Sequence, residues 1–213
     1  MSDLLTATTS AFSARWDDEG SGATREGGFW HPESQNDLRP LGSVGVSHYD
    51  DINGNHLVKL IGPGSSSPPD GQPLLASPTG YTQLWNSQDS GASKDGAFWR
   101  PIPPNGYVAL GDVATAGLNP PATSDIWCVR QDIIRQASFD SNSIWDSEES
   151  GAESDVSIWE VLSLRRLGSE SESGINGVYL GAIRASRTYN APDSIFAKVP
   201  LVWDFYSAQP LST

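Results

Sequence analysis

Three short stretches of the sequence combine paired tryptophans with acids and small residues, a composition that can bind a metal ion or a sugar. They are WDDEGSGATREGGFWHP from Trp16, WNSQDSGASKDGAFWRP from Trp85 and WDSEESGAESDVSIWEV from Trp145. An oxygen-rich loop broken by glycine can wrap a hard cation such as Ca²⁺, which takes roughly six to eight oxygen ligands. A tryptophan face beside Asp or Asn can instead hold a sugar ring and its hydroxyls. Both chemistries are therefore candidates.

The three stretches are copies of one pattern. Each has a second tryptophan at a fixed spacing (Trp30, Trp99 and Trp159), with Ser-Gly-Ala and a late acid (Glu26, Asp95 and Asp155) between the pair. Such self-similarity is the signature of internal repeats. We predict one domain over 1–213 that contains three repeats, 11–61, 80–135 and 140–206. The Pro/Gly/Ser-rich segment 62–79 is predicted to be a linker between the first two repeats.

The elements that position these loops are predicted to be strands. A Leu-Gly step follows each stretch, at Leu41-Gly42, Leu110-Gly111 and, with a shorter spacing, Leu167-Gly168. Each repeat then ends in an apolar run: HLVKLIG, IWCVRQDII or VYLGAIRA. Alternating apolar and polar residues between turn signals indicate four short strands per repeat. The predicted fold class is all-β, a pseudo-threefold β-prism-like domain of three four-stranded units, with a β-sandwich or a trefoil-like fold as alternatives.

The shared positions also have a structural interpretation. Their glycines (Gly22, Gly91 and Gly151) can supply turn conformations, and their late acids can accept backbone N–H groups inside the loop. Trp30, Trp99 and Trp159 each follow an apolar residue, which favours a core position, whereas the three first tryptophans fit either core or ligand contact. The candidate ligand-binding residues are Trp16, Asp17, Asp18, Glu19, Trp85, Asn86, Gln88, Asp89, Lys94, Asp95, Trp145, Asp146, Glu148 and Asp155.

Charge and composition exclude several classes of function. The formal net charge of −13 would repel nucleic acid and anionic membranes, because binding to phosphates needs clustered Lys and Arg. No apolar run approaches the length of a transmembrane helix. The start MSDLLTATTSAF has neither a basic nor an apolar signal region, so we expect a cytosolic protein, with unconventional secretion left open. The sequence leaves the oligomeric state open.

Catalytic chemistry has little support in the sequence. The three histidines, His31, His48 and His56, all lie in the first repeat, and neither a serine nucleophile elbow nor a metal-ligand spacing is present. We therefore predict that the protein is not an enzyme. No cofactor is predicted, apart from the open possibility of Ca²⁺ in the acidic loops.

The second repeat resembles a known family. LWNSQDSGASKDGAFWRPIPPNGYVALGDVATAG, followed by DIWCVRQDII, is similar to the vacuolar protein sorting-associated protein 62 family. The resemblance is strongest over 81–135, good over 11–61 and weakest over 140–206, where proline is missing after Trp159. It implies the fold and a non-enzymatic binding or targeting role, and it transfers no catalytic residues.

Together these features predict a binding module. The leading hypothesis is lectin-like recognition of glycans through the three loops at one end of the prism, where several sites on one surface would add avidity. The alternative, which rests on the family resemblance, is a protein- or membrane-targeting module in vacuolar trafficking or in a toxin system. The predicted partner is accordingly a glycan or a protein surface.

Overall fold

The computed structural model describes residues 4–65, 68–162 and 178–201, and its regular structure is almost entirely β-strand. We call residues 4–63 unit one, 75–130 unit two, and 134–162 with 178–200 unit three. The strands of unit one are β1 (Leu4–Thr9), β2 (Phe12–Asp17), β3 (Gly28–Pro32), β4 (Val44–Val46) and β5 (Leu57–Pro63). Those of unit two are β6 (Leu75–Ala76), β7 (Gly80–Asn86), β8 (Gly96–Ile102), β9 (Tyr107–Val108), β10 (Val113–Ala116) and β11 (Cys128–Arg130).

Unit three carries the remaining strands and follows the same order. They are β12 (Ile134–Gln136), β13 (Ser138–Phe139), β14 (Trp145–Asp146), β15 (Ser157–Leu162), β16 (Val178–Tyr179), β17 (Ile183–Ser186) and β18 (Lys198–Pro200). Two 3-10 helices, Gln131–Ile133 and Ser194–Phe196, complete the described elements. Within the described ranges no helix has the length and apolar character needed to cross a membrane.

The strands form small sheets that are antiparallel, except that β5 and β16 pair in parallel. Each unit contributes one sheet that carries its tryptophan pair: β2-β3-β4, β7-β8-β10 and β14-β15-β17. The other sheets are β1-β5-β16, β6-β11-β9 and β12-β18. The predicted all-β class is thus confirmed, and β15 shows that IWEVL is a strand, as its alignment with the other repeats indicates. The β-prism remains a prediction.

Two buried clusters fill the interior. The tryptophan cluster, at the loop end, contains Trp16, Phe29, Trp85, Phe98, Trp145 and Ile158. The leucine cluster contains Leu41, Ile61, Leu110, Val129, Leu180 and Val199. Both draw residues from all three units, so each unit buries its apolar face against the other two. Full burial of one such side chain is worth about 1.5–3 kcal/mol.

The predicted Leu-Gly step of the third repeat is in the wrong place. A Cβ atom on Gly42 would lie 3.0 Å from Gly111 Cα, and one on Gly111 would lie 3.1 Å from Ala182 Cα, so these three positions meet. Leu180 belongs to the same cluster as the leucines of the first two steps. The equivalent segment is therefore Leu180–Ala182, directly before β17, whereas Leu167-Gly168 lies outside the described residues. Extra chain after β15 misled the spacing.

Two boundaries predicted from the sequence also change. The predicted linker 62–79 contains β6, which pairs with β11, and it buries Leu74 and Leu75. The run VYLGAIRA does not close unit three, because it forms β16 and β17. The closing strand is β18, which pairs with β12. It comes from the segment SIFAKVPLVWDFYS that we expected to close the fold, whose residues beyond 201 lie outside the described part.

Candidate functional site at the loop end

The loops that join the tryptophan strands, 18–27, 87–96 and 147–156, share one closure. The side chain two positions after the first tryptophan accepts the backbone N–H nine residues later. The distances are 2.7 Å from Gly27 N to Asp18 Oδ1, 2.9 Å from Gly96 N to Ser87 Oγ and 3.0 Å from Val156 N to Ser147 Oγ. These contacts are buried, so each loop is held in one conformation by a bond that water does not replace.

The late acids do not have the closing role predicted from the sequence. Glu26, Asp95 and Asp155 are exposed, and the closing acceptors are Asp18 and the two serines instead. Asp155 accepts a hydrogen bond from the Tyr189 hydroxyl at 2.8 Å. A small polar acceptor at the same offset in all three repeats was the sequence signal for the closing residues.

The three loops also bind one another. The backbone N–H of Ser93 donates to Glu19 O at 2.7 Å, that of Thr24 to Glu148 O at 3.3 Å, and that of Gly151 to Ser90 O at 3.3 Å. Each loop therefore contacts both of the others. As a result their tips form one continuous surface rather than three separate ones.

The first tryptophans lie beneath this surface and cannot contact a ligand. Trp16, Trp85 and Trp145 are 3%, 2% and 0% exposed. Their ring centroids are 5.3, 5.2 and 5.6 Å apart, and the rings meet edge to face, a favourable arrangement for aromatic pairs. The structure thus corrects the assignment of these three residues to the ligand-binding set, because no ring face is open to a sugar.

Several polar residues that differ between the repeats link the units instead of facing a ligand. Lys94 Nζ lies 2.7 Å from Asp17 Oδ2 of unit one, and Arg25 pairs with Asp146 of unit three. In both pairs an acid one position after the first tryptophan meets a base nine positions after the next unit's first tryptophan. Lys94, Asp17 and Asp146 therefore serve the frame. Arg25, which sequence reasoning missed, stands at the position of Lys94 in its own repeat.

The positions that remain free are at the loop tips. We call the residues three and four positions after each first tryptophan the crown: Glu19, Gly20, Gln88, Asp89, Glu148 and Glu149, all of them exposed. Asp89 and Glu149 have φ values of 60° and 66°, a left-handed conformation that is uncommon for residues other than glycine. Glu149 was missed from the sequence, although it aligns with Asp89. Asn86, which is half-buried, accepts the Gln88 N–H at 2.9 Å and shapes the second tip.

The acidic loops do not assemble a metal site in the described part of the chain, where no group of three His, Cys, Asp or Glu side chains could hold an ion. Asp18 is buried and also accepts the Tyr49 hydroxyl at 2.9 Å. Burial and this bond to Asp18 raise the pKa of Tyr49. Asp18 is thus committed to protein donors, and the crown acids are the ones that face solvent.

The loop closure predicts a difference between two neighbouring residues of the second loop. Ser87→Ala should lower the free energy of unfolding by about 1–3 kcal/mol, because the buried Gly96 N–H loses its acceptor. Asp95→Ala, on an exposed residue of the same loop, should leave the melting temperature unchanged. Thermal and urea unfolding followed by circular dichroism measures both. Destabilisation by Asp95→Ala and none by Ser87→Ala would reverse the assignment.

Comparison with known proteins gives two similarities. The family model described as vacuolar protein sorting-associated protein 62 matches residues 6–199. The crystal structure of GNIP1Aa from Chromobacterium piscinae is similar with a TM-score of 0.69 and 28% sequence identity, over 91% of this chain and 35% of that one. The chain therefore spans about a third of the length of GNIP1Aa. No curated protein matches it.

Proposed function

This chain belongs to the vacuolar protein sorting-associated protein 62 family, and we propose that it is a non-enzymatic module that binds glycans through its crown. The observation that carries the proposal is the division of labour at the loop end. The residues common to the three loops are bonded to one another or buried, whereas the crown residues are polar and exposed. A surface already fixed in shape loses little conformational freedom on binding.

The chemistry of the crown favours neutral sugars. Carboxylate and amide oxygens such as those of Glu19, Gln88 and Asp89 accept hydrogen bonds from sugar hydroxyls. Because the tryptophan rings are buried, recognition rests on these hydrogen bonds rather than on stacking against a ring. Since the loop tips touch, a branched or repeating glycan would be met by one surface. Exposed acids disfavour sialylated or sulfated ligands through like-charge repulsion.

A second candidate function is docking to a basic protein surface. The observation that favours it is the charge of the loop end, where the cations Arg25 and Lys94 are already paired with acids. The exposed acids there are Glu19, Glu26, Asp89, Asp95, Glu148, Glu149, Glu153 and Asp155. Such a surface would attract a basic partner and repel an anionic membrane. The similarity to about a third of GNIP1Aa is compatible with a targeting role, since in that protein the similar region is part of a longer chain.

A glycan array probed with the wild-type chain tests the proposal. We expect binding to neutral glycans, weaker binding to their sialylated or sulfated forms, and the same signal with Ca²⁺ or with a chelator. Background signal for every glycan would overturn the proposal. Binding to a basic protein that weakens steeply with salt and ignores free sugars would support the second candidate instead.

A further inference from the structure

The residue after each second tryptophan lies beside the strand that follows it in the same sheet, and the three pairs differ. In unit one His31 Nδ1 is 3.0 Å from Ser43 Oγ. In unit two Arg100 donates two hydrogen bonds to Asp112, at 3.0 and 2.8 Å. In unit three Glu160 stands in register with Ile183, whose side chain has no polar atom. The third pair is the exception.

These pairs also hold the units together. At the joint between units one and two, Ser43 Oγ accepts the Ala114 N–H at 2.9 Å. At the joint between units two and three, Asp112 Oδ2 accepts the Ala185 N–H at 2.8 Å. At the joint between units three and one, which we call the closing joint, Ile183 stands where the others have an acceptor. The closing joint thus lacks the side-chain hydrogen bond that fastens the other two.

A small cavity lies at the closing joint. Its volume is about 10 Å³, and its lining includes Gly45, Ile144, Glu160 and Ile183. A space of this size is close to the minimum for one water molecule. The Glu160 side chain therefore lines an interior gap between two units instead of pairing with a cation as Asp112 does.

A second difference marks the same joint. Trp16 Nε1 donates to Lys94 O and Trp85 Nε1 donates to Ser154 O, each at 2.9 Å and each across a joint. The buried Nε1 of Trp145, which faces the closing joint, has no hydrogen-bond partner among the described residues. Each buried donor left without a partner costs free energy. The closing joint is therefore the weakest of the three.

We propose that the closing joint is a pH-sensitive opening point of the fold, and that loss of the Glu160 proton separates unit three from unit one. A buried carboxyl is tolerated when it is neutral and becomes costly when it ionises without a cation beside it. Burial, followed by repulsion from Asp140, raises the pKa of Glu160 to about 7, from a usual value of 4.5. The Asp140 backbone N–H donates to Glu160 O at 3.1 Å, which holds that acid nearby.

No other charge on the packed elements offsets this cost. From β4 and β17 the cavity lining contributes Val44, Gly45 and Ile183, none of which ionises. The remaining ionisable groups around the joint have other partners or are neutral. Arg184 reaches Asp112, Arg25 neutralises Asp146, and burial lowers the pKa of His31 to about 4, so that its ring is uncharged above that pH.

The direction of the pH effect follows from the raised pKa. Below about pH 4.5, the usual value, Glu160 is protonated whether the joint is closed or open, and the joint is at its tightest. As the pH rises towards 7, the open state ionises first and gains population. Because Thr24 of unit one bonds to Glu148 of unit three, opening also disturbs the crown. The device therefore links pH to the binding surface.

Hydrogen exchange at pH 5.5 and pH 8, corrected for the intrinsic rate, tests the proposal. We expect the opening constant for amides 183–186 to rise by roughly tenfold or more at the higher pH, since one pKa unit is a factor of ten. Amides 113–116, at the joint between units one and two, should not respond. Glu160→Gln should abolish the rise, and Glu153→Gln, on an exposed acid, should retain it. A rise that survives in Glu160→Gln would overturn the proposal, as would its absence in the wild type.

A measurement on the wild-type protein alone covers the case in which Glu160→Gln does not fold. Carbon-13 NMR of the Glu160 side-chain carboxyl gives its titration directly. A midpoint near pH 7, with chemical-shift changes at 44–46 and 183–186 that follow the same midpoint, supports the proposal. A midpoint near the value of an exposed glutamate overturns it.

Discussion

Asp112→Ala should lower the free energy of unfolding by about 3–5 kcal/mol, the range for removing one partner of a buried ion pair. The Asp112 side chain is fully buried and accepts two hydrogen bonds from Arg100 and one from the Ala185 N–H. Arg184 Nη1 lies 3.8 Å from it. Alanine would leave two guanidinium groups and a backbone donor without this carboxylate. Burial already lowers the pKa of Arg184, which shows that its charge is poorly solvated.

Urea unfolding of the wild type, Asp112→Ala and Asp95→Ala measures the effect. Asp95→Ala is the matched control, because it removes the same side chain from an exposed position of the same unit. Arg100→Ala should also destabilise the protein, since it leaves the Asp112 carboxylate buried without its main partner. If Asp112→Ala unfolds at the same urea concentration as Asp95→Ala, the ion pair does not fasten the joint between units two and three.

Trp85→Ala should cost about 3–5 kcal/mol, as expected when a large aromatic side chain is removed from a packed core. Trp85 is 2% exposed, contacts the rings of Trp16 and Trp145, and donates from Nε1 to Ser154 O. Its loss opens a cavity where the three loops meet. Because domains of this size have a stability of about 5–15 kcal/mol, one substitution removes a large part of the total.

Thermal unfolding of Trp85→Ala and Trp127→Ala separates core packing from a general effect of losing an indole. Trp127 is half-buried and stacks under Arg39, whose guanidinium carbon is 3.7 Å from the ring centroid. We expect Trp127→Ala to lower the melting temperature less than Trp85→Ala. Equal decreases would mean that the tryptophan cluster is not the centre of the loop end.

The role of the first tryptophans shows where sequence reasoning stopped. The repeat, the strands and the family were readable from matched columns and from alternation along the chain. Alternation did not reveal that the first tryptophans are the more buried set, because a bulge shifts the register between Ala14 and Trp16 and again between Gln83 and Trp85. Their convergence depends on how three units meet, which no single strand records.

The ion pairs were hidden for a related reason. Asp17 and Lys94 occupy different offsets in different repeats, and so do Asp146 and Arg25. Comparison of the repeats position by position therefore makes these residues look free to vary. Asn86 and Ser154 stand at the same two offsets and are both uncharged. Offsets compared between one unit and the next would have shown that the acid and the base occur together.

The most direct test of the crown as the binding surface is the glycan-array signal of the triple variant Glu19→Ala/Gln88→Ala/Glu148→Ala, recorded below its melting temperature. These exposed side chains take no part in the loop closures or in the ion pairs between the units. The account predicts an unchanged melting temperature and loss of the signal for every glycan that the wild type binds. Full retention of that signal by the folded variant would contradict it.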